Sequence, residues 1–274
     1  MTRHGNAQMN VVRFGSARGK VRLFCFPYAG GSSAAFASWH KKLPDDVEVW
    51  AVELPGRGSR LGEQPRTDLH SVLRECLQVV ASTADKPFAF FGHSMGALVA
   101  YELARELQRT KLLIPNVVIV SGLPAPNRLS AAHDLPLEQD NAYLIEKLRA
   151  WGGTPPELLQ DEEAMQILLT VLHSDLSLYN SYRFREVPAL RVPIAAFGGR
   201  QDPETTVPDL AAWAERSERW LGTRLFPGDH FFIRSSEVSV LSTIVSILTK
   251  VGGLEEGSIQ TGIRGSQAVG GGGR

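Results

Sequence analysis

The sequence predicts an α/β fold, a mostly parallel central sheet flanked by helices, and three observations support this. Short β-branched or aromatic runs alternate with longer stretches of helical apolar spacing, as in chains whose parallel strands are connected by helices. A serine between two glycines separates one such run from a helical stretch. Finally, 274 residues with 43% hydrophobic and 21% charged content can bury one large core.

Seven segments have the composition of strands. The first two, "VVRF" and "VRLFCF" (Val21 to Phe26), are joined by the turn-like "GSARGK", which predicts an opening hairpin. The other five predicted strands are Val47 to Val52, Phe88 to Gly92, Val117 to Gly122, Pro193 to Gly199 and Thr223 to Gly228.

Helical patterns fill the spaces between these strands. Asp68 to Ser82 and Val238 to Val251 have the clearest apolar faces. Another helix begins directly after the glycine-flanked serine, and its apolar positions recur every three or four residues: Met95, Leu98, Val99, Leu103 and Leu107.

One gap between strands is too long for a simple connection. About 70 residues separate Ser121 from Pro193, and they include two helical stretches. The sequence therefore predicts a core of residues 1–124 and 188–252, interrupted by a helical lid over 125–187. A glycine-rich tail over 253–274 has almost no apolar periodicity and is predicted to be disordered.

Composition argues against several classes of partner. Lysine plus arginine and aspartate plus glutamate number 29 each, so no global charge attracts nucleic acid or an anionic membrane. The N-terminal residues have no apolar stretch of the length expected for a signal peptide, and the sequence has no apolar span of about 18 residues. Cys25 and Cys76 are predicted to be reduced, and Cys25 lies in an apolar run. A cytoplasmic monomer is expected.

The glycine-flanked serine lies in Gly92-His93-Ser94-Met95-Gly96, where a strand pattern gives way to a helix. A serine on such a tight turn projects its Oγ above the sheet, and residues without Cβ let the turn close. The following helix directs its first amides to the same place, so the Met95 N–H is predicted to stabilise an oxyanion. Ser94 is the predicted nucleophile, whereas His93 is expected to pack.

A nucleophilic serine needs a base that an acid orients. In the α/β-hydrolase arrangement the acid and then the histidine follow later strands. His230 alone among the downstream histidines follows a predicted strand, whereas His133 and His173 fall in the predicted lid. Asp202 follows the preceding strand and is the predicted acid. Two alternative acids stay open: Asp229, beside the histidine, and Asp175, in a lid helix.

A second oxyanion donor is expected from the loop after an early strand. The segment "FCFPYAGGSSAAF" has Gly30-Gly31 just before a helix that starts near Ser32 or Ser33, so its backbone can approach a substrate closely. The donor is assigned to the N–H of Ala29, with Tyr28 as the alternative.

Several segments together resemble a known family. "FCFPYAGGSSAAF", "VWAVELPGRGSR", "FFGHSMGALVAYELARELQ", "FGGRQDP" and "GDHFF" occur in the expected order over roughly residues 20 to 250. They resemble the type II thioesterases, the stand-alone editing thioesterases that accompany polyketide and nonribosomal peptide synthetases.

The resemblance implies an α/β-hydrolase fold with a mobile helical lid. It implies a Ser94, Asp202 and His230 triad, with oxyanion amides from Ala29 and Met95. The implied reaction releases aberrant or stalled acyl groups from the phosphopantetheine arm of acyl or peptidyl carrier proteins, with no cofactor and no metal. The lid segments match the family only loosely.

Acidic carrier proteins would favour a basic rim near the entrance. The candidates for this rim are Arg57, Arg60, Arg128, Lys147 and Arg149. Three other functions compete with the implied one: a small-molecule serine carboxylesterase, a medium-chain fatty acyl thioesterase, and an inactive relative that only binds carriers. An intact serine, aspartate and histidine argue against the last.

Overall fold

The computed structural model describes residues 11–83, 85–111, 113–129, 140–154 and 156–254. Within them a seven-stranded sheet forms the centre of the molecule. Its strands are β1 (Val11–Phe14), β2 (Val21–Phe26), β3 (Val47–Val52), β4 (Phe88–His93), β5 (Val118–Ser121), β6 (Ile194–Gly199) and β7 (Trp220–Phe226). All seven predicted strands are present, so the predicted α/β class is confirmed.

The strand order is β1-β3-β2-β4-β5-β6-β7, with β2 to β7 parallel. The predicted opening hairpin is wrong, because β1 pairs antiparallel with β3 rather than with β2. β2 is hydrogen-bonded to β3 on one side and to β4 on the other, so it has no free edge for β1. β3 pairs with β2 along one edge only, and β1 pairs with its other edge.

The helices cover both faces of this sheet. They are α1 (Leu69–Thr83), α2 (Met95–Thr110), α3 (Asn141–Trp151), α4 (Pro156–Gln160), α5 (Glu162–Ser181), α6 (Val207–Ala211), α7 (Phe232–Ser235) and α8 (Glu237–Lys250). The predicted helices Asp68 to Ser82 and Val238 to Val251 correspond to α1 and α8, each shifted by one residue.

Side chains of the central strands alternate between two buried clusters, as the two-residue period of a strand requires. Phe88 and Phe90 of β4 join one cluster with α1 and α2, whereas Ala89 and Phe91 join the other with α8. Both faces of the central sheet are therefore buried, which explains why the strand segments are almost continuously apolar.

The gap between β5 and β6 contains α3, α4 and α5, here called the α3–α5 segment (residues 141–181). Its facing side chains form a separate buried cluster of leucines and a methionine: Leu144, Leu148, Met165, Leu169, Leu172 and Leu176. Residues 130–139 of the predicted lid lie outside the described residues. The predicted disordered tail also lies outside them beyond Leu254, and Leu254 itself is buried against the α8 side of the core.

The parallel strands β2, β4, β6 and β7 all end at one edge of the sheet, here called the carboxyl edge. The segments that follow these strands carry every residue assigned to the predicted site. Neighbouring parallel strands therefore bring together residues that are far apart in the sequence. None of the described helices is both long and apolar enough to span a membrane.

Candidate active site

Ser94 lies between the last residue of β4 and the first residue of α2. Its φ of 53° and ψ of −122° are unusual for a residue with a side chain. Such a backbone costs about 1–3 kcal/mol and persists only where its surroundings enforce it. Here the Ser94 N–H donates to the Ser121 carbonyl at 2.7 Å, which ties the turn to β5. The predicted sharp turn is present.

Both flanking glycines are required by close backbone contacts. A Cβ on Gly92 would lie 2.1 Å from the Gly96 carbonyl oxygen, inside the first turn of α2. A Cβ on Gly96 would lie 2.1 Å from the Phe26 carbonyl oxygen at the end of β2. The glycines therefore let the turn close, as predicted, and they also let the helix rest on the neighbouring strand.

Asp202 and His230 meet at the carboxyl edge, on the segments that follow β6 and β7. Nδ1 of His230 lies 3.0 Å from Oδ2 of Asp202, whose side chain is completely buried. The other carboxylate oxygen accepts the Glu204 N–H at 2.9 Å. Because a carboxylate only accepts, Nδ1 of the neutral ring carries the proton and Nε2 is left as an acceptor. That arrangement can support general-base catalysis.

His230 is next to the turn that carries Ser94. The rings of His93 and His230 lie with their centroids 5.0 Å apart, and His93 directly precedes the serine. Ser94 is partly exposed and His230 is 8% exposed. No hydrogen bond joins these two described residues. Catalytic hydrogen bonds are often long without substrate and shorten in the reacting complex.

Neither alternative carboxylate is hydrogen-bonded to the imidazole of His230. Asp229 accepts the Phe231 N–H at 2.8 Å and so caps its own loop. Asp175 of α5 is bound by the guanidinium of Arg57 at 2.6 and 2.7 Å. Of these three carboxylates, Asp202 is therefore the one placed to orient the histidine. His173, in the predicted lid, instead contacts Asn141 at 2.9 Å, while His133 lies outside the described residues.

The segment after β2 forms a tight turn. The Gly31 N–H donates to the Tyr28 carbonyl at 2.9 Å, and Gly30 has a φ of 75°. These are the features of a type II turn, in which the third residue needs a positive φ and is usually glycine. A short 3-10 helix, Ser33–Phe36, follows with Ser32 as its N-cap, where the sequence predicted a helix start.

The two predicted oxyanion amides are both available at this edge. Met95 is the first residue of α2, and the first amides of a helix lack partners within it. The Ala29 N–H makes no hydrogen bond with any described residue. Tyr28 is held differently: its hydroxyl accepts a hydrogen bond from Arg234, which also donates to the Gly153 carbonyl.

His93 is completely buried, as expected for a packing residue. Its Nδ1 lies 3.0 Å from the Ser121 hydroxyl. Burial lowers the pKa of His93 well below its usual range, and the neighbouring His230 adds to this effect. Because Gly122 has a φ of 61° and no Cβ, the imidazole can pack against it; a Cβ there would lie 2.7 Å from Cε1 of His93.

The predicted basic rim is wrong for Arg57. That residue is 5% exposed, and its guanidinium is bound by Asp175 and the Gly31 carbonyl. The side chain of Arg60 is only 11% exposed and is held by Glu63 and Glu75. The sequence shows where these positive charges lie along the chain, but no sequence pattern identifies the carboxylates that bind them in the fold. Arg128, Lys147 and Arg149 are on the surface or partly so.

A cavity of about 680 Å³ lies between the turn after β2, the α3–α5 segment and α7. It borders Tyr28, Ala29 and Phe231, but neither Ser94 nor His230 lines it. Much of its wall is apolar: Leu61, Leu148, Leu158, Ala164, Ile167, Leu168, Val171 and Ile233. The space therefore begins at the predicted oxyanion loop and extends beneath the helical segment.

The described residues contain no cluster of histidine, cysteine, aspartate or glutamate side chains that could hold a metal ion. The residues of the site can support nucleophilic attack by Ser94, with His230 as the base. Helix and turn amides nearby can stabilise the negative charge that develops on the attacked oxygen.

Comparison with known proteins agrees with this geometry. A family model for the thioesterase domain matches residues 21–248. The gramicidin S biosynthesis protein GrsT of Aneurinibacillus migulanus is 40% identical over 222 residues, which cover 81% of this chain and 86% of GrsT. The rat medium-chain S-acyl fatty acid synthase thioesterase is 33% identical over 220 residues, covering 77% of this chain and 81% of the rat enzyme.

Solved structures give the same result. RedJ, a thioesterase from the prodiginine pathway of Streptomyces coelicolor, superposes with a TM-score of 0.79 at 33% identity, covering 85% of this chain and 92% of RedJ. The sheet order, the turn at Ser94 and these neighbours establish the α/β-hydrolase fold. The chain therefore belongs to the thioesterase family and is related to the type II thioesterases of polyketide and nonribosomal peptide pathways.

Proposed function

We propose that this thioesterase hydrolyses acyl groups from the phosphopantetheine arm of acyl or peptidyl carrier proteins, and so clears aberrant or stalled groups from a synthetase. The observation that carries this proposal is the contact of His230 with the buried carboxylate of Asp202, beside the strained turn at Ser94. The likeness to GrsT, a gramicidin S biosynthesis protein, and to YbtT, a type II thioesterase from a nonribosomal peptide and polyketide pathway, supports the choice of substrate.

In the proposed mechanism, Ser94 Oγ attacks the thioester carbonyl while Nε2 of His230 takes its proton. Asp202 holds the ring in the tautomer that leaves Nε2 free and stabilises the imidazolium that forms. The N–H groups of Ala29 and Met95 stabilise the oxyanion of the tetrahedral intermediate. The intermediate collapses, His230 gives its proton to the departing pantetheine sulfur, and an acyl-serine and a neutral His230 remain.

The second half of the reaction uses the same groups. His230 takes a proton from water, and the resulting hydroxide attacks the acyl-serine carbonyl. The intermediate collapses, Ser94 recovers its proton from His230, and the free acid is released. A thiol is a better leaving group than an alcohol, so acylation by a thioester needs less help from a general acid than ester cleavage does.

We further propose that residues 125–187 act as a lid and that the cavity beneath them is the acyl chamber. The cavity begins at Ala29 and is walled by apolar side chains of α4 and α5. An acyl chain bound there would have its carbonyl close to the turn after β2. The exposed Arg128 and Arg149 and the half-exposed Lys147 are the remaining candidates for contact with an acidic carrier.

A fluorophosphonate probe and a panel of acylated carriers test the proposal together. The wild-type chain should be labelled on Ser94 and should release acids from the carriers, and Ser94→Ala should do neither. A wild-type chain that is not labelled would favour an inactive carrier-binding protein. Labelling without release of acids from any carrier would contradict the proposed substrate.

The likeness to the rat enzyme favours a second candidate, release of medium-chain fatty acids. The apolar wall of the cavity is compatible with this substrate too. The same panel separates the two, because an editing enzyme should accept short and varied acyl groups. A steep preference for medium-length saturated chains would support the second candidate.

A further inference from the structure

The contact between α5 and the turn after β2 has no part in the mechanism above. Asp175 is 1% exposed, and its two carboxylate oxygens accept hydrogen bonds from the two terminal nitrogens of Arg57 at 2.6 and 2.7 Å. Arg57 is itself buried and also donates to the Gly31 carbonyl at 3.1 Å. A buried ion pair therefore joins α5 to the turn.

The same carboxylate also holds the turn directly. The Gly30 N–H donates to Oδ2 of Asp175 at 2.7 Å. Gly30 is the third residue of the type II turn, and types I and II differ by a flip of the peptide between the second and third residues. That peptide joins Ala29 to Gly30. The hydrogen bond to Asp175 therefore selects the orientation of this peptide and anchors the turn to α5.

Packing reinforces this contact along one face of α5. A Cβ on Gly30 would lie 3.2 Å from Leu168 Cδ1 and 3.6 Å from Leu172 Cδ1. Leu168, Leu172 and Asp175 are spaced by four and then three residues, so they share a face of the helix. Ala29 also packs against the cluster of the α3–α5 segment. The helix thus rests on the turn.

Stability alone does not account for a buried ion pair at this place. Desolvation of two charges offsets much of their attraction, and apolar side chains of similar volume are often equally stable in such positions. What apolar side chains cannot provide is an acceptor for the Gly30 N–H or a donor for the Gly31 carbonyl. The pair is therefore suited to fix the turn.

We propose that Asp175, oriented by Arg57, is a positioning residue for the oxyanion hole. The pair holds the Gly30 N–H and the Gly31 carbonyl, the two groups that follow Ala29, and so fixes the position from which the Ala29 N–H faces the substrate carbonyl. The hole is therefore complete when α5 is seated. The inference rests on the proposed function, because it assumes that Ala29 contributes an oxyanion amide.

The test replaces the pair by apolar residues in the double variant Arg57→Met/Asp175→Leu, which leaves no unpaired buried charge. Removal of one oxyanion donor lowers kcat by about 10²–10³-fold, so a fall of up to that size is expected with KM little changed. A trifluoromethyl ketone analogue, which forms an oxyanion on Ser94, should bind more weakly by a similar factor. A non-hydrolysable thioether analogue should bind as before.

The ratio of these two affinities is the decisive readout, because general damage to the fold would weaken both analogues together. The control is Arg22→Met/Glu48→Leu. It removes a buried ion pair, Arg22 Nε to Glu48 Oε2 at 3.1 Å, at the edge of the sheet opposite the carboxyl edge. It should leave the ratio unchanged.

Should the double variant not fold, Asp175→Ala decides by the same ratio. The alanine removes the acceptor of the Gly30 N–H, so a change of about tenfold is expected, whereas Asp175→Asn keeps an oxygen acceptor and should change the ratio less. If the wild type hydrolyses acyl-carrier thioesters and Asp175→Ala leaves the ratio unchanged, the role of Asp175 is overturned. A wild type that does not hydrolyse them would instead refute the proposed function.

Discussion

Nδ1 of His230 and Oδ2 of Asp202 lie 3.0 Å apart although the residues follow different strands, and the side chain of Asp202 is completely buried. Parallel strands β6 and β7 are neighbours, so their carboxyl ends deliver the two side chains to one place. This contact leads to the first prediction.

Asp202→Asn should lower kcat strongly, by as much as about 10⁴-fold, while the fold is kept. The amide can donate to Nδ1, which would place the ring proton on Nε2 and remove the base. Steady-state hydrolysis of an acyl thioester measures the effect, with circular dichroism as the check on folding. Near-normal turnover would mean that another carboxylate orients His230.

The glycines around Ser94 supply a second prediction, on stability. Gly96→Ala should destabilise the protein by about 1–3 kcal/mol or more, because its Cβ would meet the Phe26 carbonyl oxygen at 2.1 Å, and backbone must move. Gly62→Ala is the matched control, since a Cβ there meets nothing within 4 Å. Urea unfolding of both variants gives the comparison, and equal free energies of unfolding would contradict the contact.

His93 should make stability depend on pH. Burial lowers the pKa of His93 well below its usual range, whereas an unfolded histidine has a pKa of about 6.5. Below that pH the unfolded chain binds a proton that the folded chain does not, so stability is lost as pH falls. The contribution is at most about 1.4 kcal/mol per pH unit.

The measurement is the free energy of unfolding of the wild type and of His93→Gln between about pH 7.5 and 5.5, one unit above and one unit below the unfolded pKa of about 6.5. The variant lacks the titrating group, so its stability should fall less steeply with decreasing pH. Parallel curves for the two proteins would show that His93 does not provide the difference.

The cavity beneath the α3–α5 segment should set the acyl length. Ala164→Phe adds a ring to its wall and should lower kcat/KM for long acyl groups more than for short ones. Ala150→Phe places the same ring on an exposed position of α3 outside the cavity wall and should change neither. An equal effect of Ala164→Phe on both acyl lengths would place the acyl chain elsewhere.

The strands can be predicted from the sequence, and so can the positions of Ser94, Asp202 and His230 after three of them, because both depend on local patterns. Apolar runs specify strands, and the ends of parallel strands meet at one edge. The partner of β1 was predicted incorrectly because a turn-like segment between two strands does not determine whether they pair. β1 instead takes the free edge of β3.

The environment of Arg57 was equally hidden. Its partner Asp175 is 118 positions away and belongs to a different element, so no local pattern connects them. The sequence makes Arg57 a candidate for a basic rim because an acidic carrier would favour positive charge near the entrance. Only the docking of α5 on the turn after β2 shows that the charge is buried and paired.

The most direct test of the account is the ratio of kcat/KM for an acyl group carried as a thioester on a phosphopantetheinylated carrier protein to that for the same acyl group as an oxyester. The account predicts that the carrier thioester is the better substrate and that Ser94→Ala abolishes its hydrolysis. A strong preference for the oxyester, or undiminished thioester hydrolysis by Ser94→Ala, would contradict it.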